Sequence, residues 1–149
     1  EWDAETFDNI AQIVAAGRDA IIWGGHLYDL PPRRGWLLWD KIVREFSSGH
    51  AEMAWTTLEQ PVRAFNFANG QLVADGKKHP TQKPLALMKW CLGFLPDAQT
   101  ILDPFAGSGT TPLAARNLGR RFIGIEIDPK YLVGAHKRLH DAPEHTEAA

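Results

Sequence analysis

An acid, a glycine turn and a second acid mark where this chain could do chemistry. The stretch Ile101-Leu102-Asp103-Pro104-Phe105-Ala106-Gly107-Ser108-Gly109-Thr110-Thr111 runs from an apolar lead-in through a carboxylate into glycines that open onto a helix-forming segment. Strand, glycine turn and helix in that order present backbone N–H groups to a small polar cofactor. Three cofactor classes use this device, and the residues discriminate among them. A P-loop needs a lysine after its last glycine to reach the terminal phosphates; here Thr110 follows Gly109, which argues against a nucleoside triphosphate. The dinucleotide fingerprint wants a third glycine where helix and sheet pack closely. That position holds Pro112, and Asp103 at the mouth of the turn repels a pyrophosphate. A cofactor with a cationic end and a ribose suits the site better. S-adenosyl-L-methionine carries an ammonium and a sulfonium, both favoured by Asp103. Glu126 ends the next apolar run about 20 residues past the first glycine, the spacing of a ribose-binding acid. Taken singly, Asp103 could be an Asp-Pro turn former and Glu126 a surface acid; on adjacent strand ends, the pair points to the cofactor. A nicotinamide dinucleotide is disfavoured but stays open.

The elements that must hold these residues follow from periodicity and chain breakers. Thr100-Ile101-Leu102 is a short strand, and the helix after the turn runs to Leu118, with Gly119 as its stop. Arg121-Phe122-Ile123-Gly124-Ile125-Glu126 is the next strand. Asp128 and Pro129 are the N-cap and first-turn proline of a last helix, with Leu132, Ala135, His136 and Leu139 on one side. Upstream, Pro84 opens a helix whose stripe is Leu85, Met88, Leu92 and Leu95, widened by Cys91 and stopped by Pro96. Helix, strand, helix, strand, helix with strands this short predicts a mainly parallel, doubly wound α/β sheet. The first half adds a helix capped by Asp3 with Phe7, Ile10, Ile13 and Val14 as its stripe. It adds strands at Ala20-Ile21-Ile22-Trp23, 35–41, 51–56 and 62–67, then a polar loop at 68–78. There is no internal repeat.

The chain has 149 residues and a formal net charge of −2, enough for one domain with a real core. We expect a single domain over 1–149, with a substrate-side half at 1–67, the loop at 68–78, a cofactor half at 79–140 and a frayed acidic tail at 141–149. Near-neutral charge neither requires nor excludes nucleic acid. Acids gather at the ends (Glu1, Asp3, Glu5, Asp8; Asp141, Glu144, Glu147), while Arg33, Arg34, Lys41, Arg44, Lys77, Lys78 and Lys83 lie between them. The one cysteine, Cys91, rules out a disulfide framework within the chain and reads as a buried thiol. His26 and His79 have no metal-ligand company, so no metal is expected. No apolar run approaches the ~20 residues that span a bilayer; the expected setting is a reducing cytoplasm, bacterial or that of a phage-infected host. The first residue is Glu1, which suggests a piece of something longer.

Three motifs now resemble one family, the DNA amino-methyltransferases that modify adenine N6 or cytosine N4. Asp103-Pro-Phe-Ala-Gly-Ser-Gly-Thr-Thr111 resembles its cofactor-binding motif, and Gly124-Ile-Glu-Ile-Asp-Pro129 its ribose-binding motif. His79-Pro-Thr-Gln-Lys-Pro84 resembles the segment that closes over the methionine end of the cofactor. Each motif is moderately specific and the three in this order are strongly so; they cover about the second half of the chain. Trp23-Gly-Gly-His26 and Arg34-Gly-Trp-Leu-Leu-Trp-Asp-Lys41 look like phage-type members, with weaker specificity. The resemblance implies a Rossmann-like S-adenosylmethionine-dependent methyltransferase fold and a site-specific DNA methyltransferase of the restriction–modification kind. It assigns the cofactor to Asp103, Phe105, Ala106, Gly107, Ser108, Gly109, Thr110 and Glu126, with Thr81 and Lys83 closing the methionine end. Double-stranded DNA is the implied partner, and Arg33, Arg34, Lys77 and Lys78 are candidates for its phosphates; each is equally readable as a solvated surface charge.

The motif order is the permuted one, in which the catalytic Asp/Asn/Ser-Pro-Pro-aromatic motif precedes the cofactor motif. Nothing in these residues fits it. Leu30-Pro31-Pro32-Arg33 has the prolines without the polar residue or the aromatic, and Asp103-Pro104-Phe105 lacks the second proline. The fold is therefore expected to be incomplete at its N-terminal side, missing a strand between the cofactor strand and Ala20–Trp23 and leaving both with open edges. The chain alone is expected to bind cofactor weakly and to transfer no methyl group, its activity needing the missing segment or a second subunit. Adenine N6 is the preferred target, on the phage-like resemblance alone. The alternatives are cytosine N4, an acceptor that is RNA, protein or a small molecule, and a non-catalytic cofactor- or DNA-binding remnant.

Overall fold

The computed structural model describes residues 9–42, 49–68 and 82–142, and the chain divides into two compact units, Glu1–Asn69 and Gly70–Ala149. The first holds helix α1 (Ile10–Ala15), strand β1 (Ile21–Trp23), a 3-10 turn (Gly25–Leu27), and strands β2 (Trp36–Asp40), β3 (Ala51–Thr56) and β4 (Arg63–Asn66). The second holds α2 (Leu85–Gly93), β5 (Thr100–Asp103), α3 (Thr110–Asn117), β6 (Arg121–Gly124) and α4 (Pro129–Asp141). The expected helix cap Asp3, the stripe residue Phe7 and most of the loop 68–78 lie outside the described residues.

In the first unit the strand order is β1-β3-β2-β4. β3 runs antiparallel to both neighbours, with Ile22 opposite Trp55 and Leu37 opposite Ala54, and β4 lies parallel to β2. β2 alternates as a half-buried strand must: Leu37 and Trp39 are buried on one face, with Ala54 opposite Leu37, while Trp55, opposite Trp36, is buried on the other. Burying a tryptophan is worth roughly 4–6 kcal/mol as an upper estimate, so Trp39 and Trp55 anchor this unit. Their indole N–H groups are satisfied by the Phe67 carbonyl at 2.9 Å and the Pro31 carbonyl at 2.8 Å. Each ring therefore ties a loop to the sheet. Lys41, buried just past β2, pairs with Glu52 at 2.9 Å. β4 is mostly exposed, as an edge strand can be.

In the second unit β5 and β6 pair in parallel, Leu102 beside Ile123 and Asp103 beside Gly124. One face of this sheet carries α3. A Cβ on Gly124 would stand 3.1 Å from Pro112 Cγ and 3.3 Å from Ala106 Cβ, so the strand itself supplies the small residue that close helix packing requires. The dinucleotide fingerprint puts that glycine on the helix; here proline and glycine have exchanged sides. Two arginines close helix ends, where orphan carbonyls attract cations. Arg120 Nη1 donates to the carbonyls of Leu92 and Leu95 at the end of α2, at 3.0 and 2.8 Å. Arg116 donates to those of Leu139 and Ala142 at the end of α4.

Three stripes differ from their periodicity. The buried residues of α2 are Leu87, Met88, Cys91 and Leu92, with Pro84 at the N-cap rather than in the first turn, so the inward face is rotated from the expected Leu85–Leu95 line. In α1 only Ile10 is buried. In α4 only Ala135 is buried, Leu132 and His136 are exposed, and Tyr131 and Arg138 turn inward instead. Each sequence stripe spans more than one helix face, and what packs against it selects the face. β1 and β5 are both edge strands of their sheets among the described residues.

Candidate cofactor site

The glycine turn is held by backbone bonds that continue the β5–β6 ladder beyond the strands. Ile125 N–H donates to the Asp103 carbonyl at 2.9 Å, and Ala106 N–H to the Ile125 carbonyl at 2.8 Å. Gly107 and Gly109 have φ of +52° and +75°, where a side chain costs energy. A Cβ on Gly109 would also lie 3.0 Å from that of Ala135, so α4 can approach only because this residue is glycine. α3 starts at Thr110 with no side-chain cap among the described residues, and the first N–H groups of a helix have no partner within it.

The two acids sit where the chain reverses. Asp103 Oδ1 accepts from Phe105 N–H at 3.0 Å, so the Asp-Pro turn is real and uses one carboxylate oxygen. Glu126 is fixed more firmly: Oε2 accepts from Gly107 N–H at 2.7 Å and Oε1 from Asp128 N–H at 2.9 Å. Asp128 then caps α4 through Lys130 N–H at 2.8 Å. A carboxylate oxygen has two acceptor directions, so Glu126 keeps capacity for a diol while its orientation is set by backbone.

Burial holds the Asp103 carboxyl above its ordinary range; hydrogen bonds from the Thr111 hydroxyl and Phe105 N–H pull it back, and the nearby Glu126 charge raises it further. Neither acid has an ion-pair partner among the described residues. Two carboxylates set together without a cation make a site that attracts positive charge and hydroxyl donors and repels phosphate.

The expected site residues divide into groups. Asp103, Phe105, Ala106, Gly107, Ser108, Gly109, Thr110 and Glu126 come together at the C-terminal ends of β5 and β6. Phe105 is exposed, while the Ser108 and Thr110 side chains are buried; they face inward and leave the turn to present backbone. Lys83 is half-buried just before α2. Thr81, Lys77 and Lys78 lie outside the described residues. Arg33 and Arg34 belong to the first unit, and Arg33 pairs with Glu59 at 3.3 Å. Burial pushes the Cys91 thiol up to about 12, an inert group as expected. A cavity of about 100 Å³ lined by Ser108, Lys130, Tyr131 and Gly134 is far below the size of a nucleoside pocket.

Sequence reasoning missed three residues here. Ile127, directly after Glu126, is 89 % exposed, an apolar surface at the acid. Gln82 is buried with Oε1 accepting from the Ser108 hydroxyl at 3.1 Å. Arg138 donates to Ser108 and Thr110; a charged residue in register with Tyr131 and Ala135 was the signal that could have found it.

Comparison with known proteins supplies a family. A DNA methylase family model, of the N6/N4 type, matches residues 31–137. Type II methyltransferase M2.DpnII of Streptococcus pneumoniae is 54% identical over 63 residues, 42% of this chain and 24% of that protein. Type II methyltransferase M2.LlaDCHI of Lactococcus lactis subsp. cremoris is 52% identical over 64 residues, again 42% and 24%. The matched stretch is thus about a quarter of the length of these relatives. Among solved structures, an M1.HpyAVI–SAM complex is 34% identical, with a TM-score of 0.53, over 70% of this chain and 60% of that one. A second M1.HpyAVI structure is 28% identical, with a TM-score of 0.51, over 89% and 66%. The fold is the expected Rossmann-like α/β fold, with antiparallel β3 as its exception.

Proposed function

This chain belongs to the DNA methylase family, and we propose that it carries the cofactor half of an enzyme that methylates an exocyclic amino group in double-stranded DNA. One observation carries the proposal: Glu126, locked by Gly107 and Asp128 N–H groups, stands on a glycine turn with Asp103, which has no ion-pair partner among the described residues. Glu126 accepts the ribose hydroxyls. Asp103 faces the cationic end, gaining a counter-charge for a carboxyl that burial otherwise disfavours. Ala106, Gly107, Ser108, Gly109 and Thr110 shape the turn, the N–H groups of Ala106, Gly107 and Gly109 being used within it; Phe105 and Ile127 provide apolar surface, and Thr81 and Lys83 close the methionine end. S-adenosylmethionine, which one solved relative binds, would be held by these residues and would supply an electrophilic methyl group for the base nitrogen. The protein's part is positioning, with the base extruded from the duplex.

The two units are proposed as halves of one methyltransferase domain, and Arg33, Arg34, Lys77 and Lys78 as phosphate contacts. No Pro-Pro-aromatic motif occurs in these 149 residues, so methyl transfer is proposed to require residues from outside them, in a longer chain or a second subunit. The preferred acceptor is adenine N6, with cytosine N4 the alternative; the setting proposed with a DNA substrate is the cytoplasm, bacterial or of a phage-infected host. Incubating the chain with methyl-labelled cofactor and duplex DNA tests this. We expect no label in DNA from the chain alone. Label appearing there would overturn the requirement for further residues, and hydrolysis to nucleosides would name the base.

A further inference from the structure

Helix α4 points one cation at the back of the glycine turn. Tyr131, Ala135 and Arg138 stand at i, i+4 and i+7 and share a face; Ala135 packs against Gly109 on that face. Arg138 Nη1 donates to the Ser108 carbonyl at 3.2 Å, to Ser108 Oγ at 3.3 Å and to Thr110 Oγ1 at 2.9 Å. The Ser108 hydroxyl passes its own proton on, donating to Gln82 Oε1 at 3.1 Å. A hydroxyl has one donor and two acceptor directions, so Ser108 can serve both partners at once. Gln82, Ser108 and Thr110 are all buried.

This guanidinium therefore joins three segments distant in sequence: the stretch before α2, the turn, and α4. Among the described residues its partners are uncharged oxygens, and it forms no ion pair. An arginine placed for surface solubility would meet water or a carboxylate; this one is half-buried and spent on the turn. Neither Ser108 nor Thr110 can turn its hydroxyl outward without leaving a desolvated donor behind.

We propose that Arg138 is a positioning residue: it fixes the Ser108–Thr110 turn and, through the Ser108 hydroxyl, holds the Gln82 segment against it. The proposal rests on the cofactor reading only for its consequence, that α4 sets how tightly the site binds. Two variants of this chain test it. Arg138→Met keeps the bulk and removes the donors; Arg138→Lys keeps a charge and a donor. In nitrogen-labelled protein without ligand, Arg138→Met should move the Gln82 side-chain amide and speed hydrogen exchange at Gly107–Gly109 at least tenfold, while the β5 amides hold. Arg138→Lys should recover part of that protection. Ser108→Ala, a gentler change, should release Gln82 alone. With S-adenosylhomocysteine, Arg138→Met should bind at least tenfold more weakly. Shifts confined to α4, or a Gln82 amide indifferent to Ser108→Ala, would overturn the proposal. If the parent chain fails to bind S-adenosylhomocysteine, the cofactor reading falls, and the amide readouts still decide the role of Arg138.

Discussion

The two sheets of this molecule are built on different terms. In the four-stranded sheet, Leu37, Trp39, Ala54, Trp55 and Thr56 are buried together, and indole N–H groups tie loops to strands. In the two-stranded sheet, one face is packed by α3 through Gly124, and the other leaves Leu102 at 41 % and Ile123 at 54 % exposed. All four residues of β6 are exposed. The first sheet holds itself by side-chain burial. The second holds its turn by backbone hydrogen bonds, arginine caps and carboxylate–amide pairs, and keeps polar groups available at its end. What teaches most is where the apolar area goes: β6 has the composition of a covered strand and, among the described residues, the environment of an open one.

Substitutions separate the two sheets. Trp55→Ala should destabilise the four-stranded unit by about 3–5 kcal/mol, read by urea denaturation followed through tryptophan fluorescence; a loss under about 1 kcal/mol would mean that its core is not organised around that ring. Gly109→Ala should cost roughly 1–3 kcal/mol, since a side chain at positive φ is strained and its Cβ meets Ala135. Preserved thermal stability in that variant would show that α4 does not depend on the approach.

Asp103→Asn should act in opposite directions on stability and binding. The folded state raises the Asp103 pKa, so it binds that proton more tightly than the unfolded chain. Stability from this group is present below the unfolded carboxylate range and is lost as pH rises through the raised folded value. The asparagine variant should therefore melt higher than the parent at neutral pH and show less decline across that window. It should bind S-adenosylhomocysteine, which retains the ammonium, roughly tenfold more weakly, about 1.4 kcal/mol. Binding to the parent should release a proton within the same window, seen as a buffer-dependent enthalpy. Smallest of all, Leu102→Ser and Ile123→Ser should each change stability by no more than about 0.5 kcal/mol; a cost of several kcal/mol would show the face to be covered.

Local chemistry was legible in the sequence. Asp128 and Pro129 start α4, Gly119 follows α3 in the left-handed region, and the strand–turn–helix around Asp103 falls where the breakers place it. Features set by distant partners were not. The antiparallel run of β3 depends on its neighbours, because Ala51–Thr56 reads alike in either direction. The inward face of α4 depends on Gly109, which selects Ala135 and brings Arg138 along. Gln82 and Ser108 are 26 residues apart, and no local pattern couples a lid-like segment to the turn. Pro112 lies where the dinucleotide fingerprint has a glycine, and only the fold sets Gly124 opposite it.

The most direct test of the central claim, that Asp103, Glu126 and the turn between them form an S-adenosylmethionine site, is a calorimetric titration of the chain with S-adenosylhomocysteine and NAD side by side. One weak site for S-adenosylhomocysteine is expected, lost in Glu126→Ala, with no binding of NAD. Preference for NAD, or S-adenosylhomocysteine binding that survives Glu126→Ala unchanged, would contradict it.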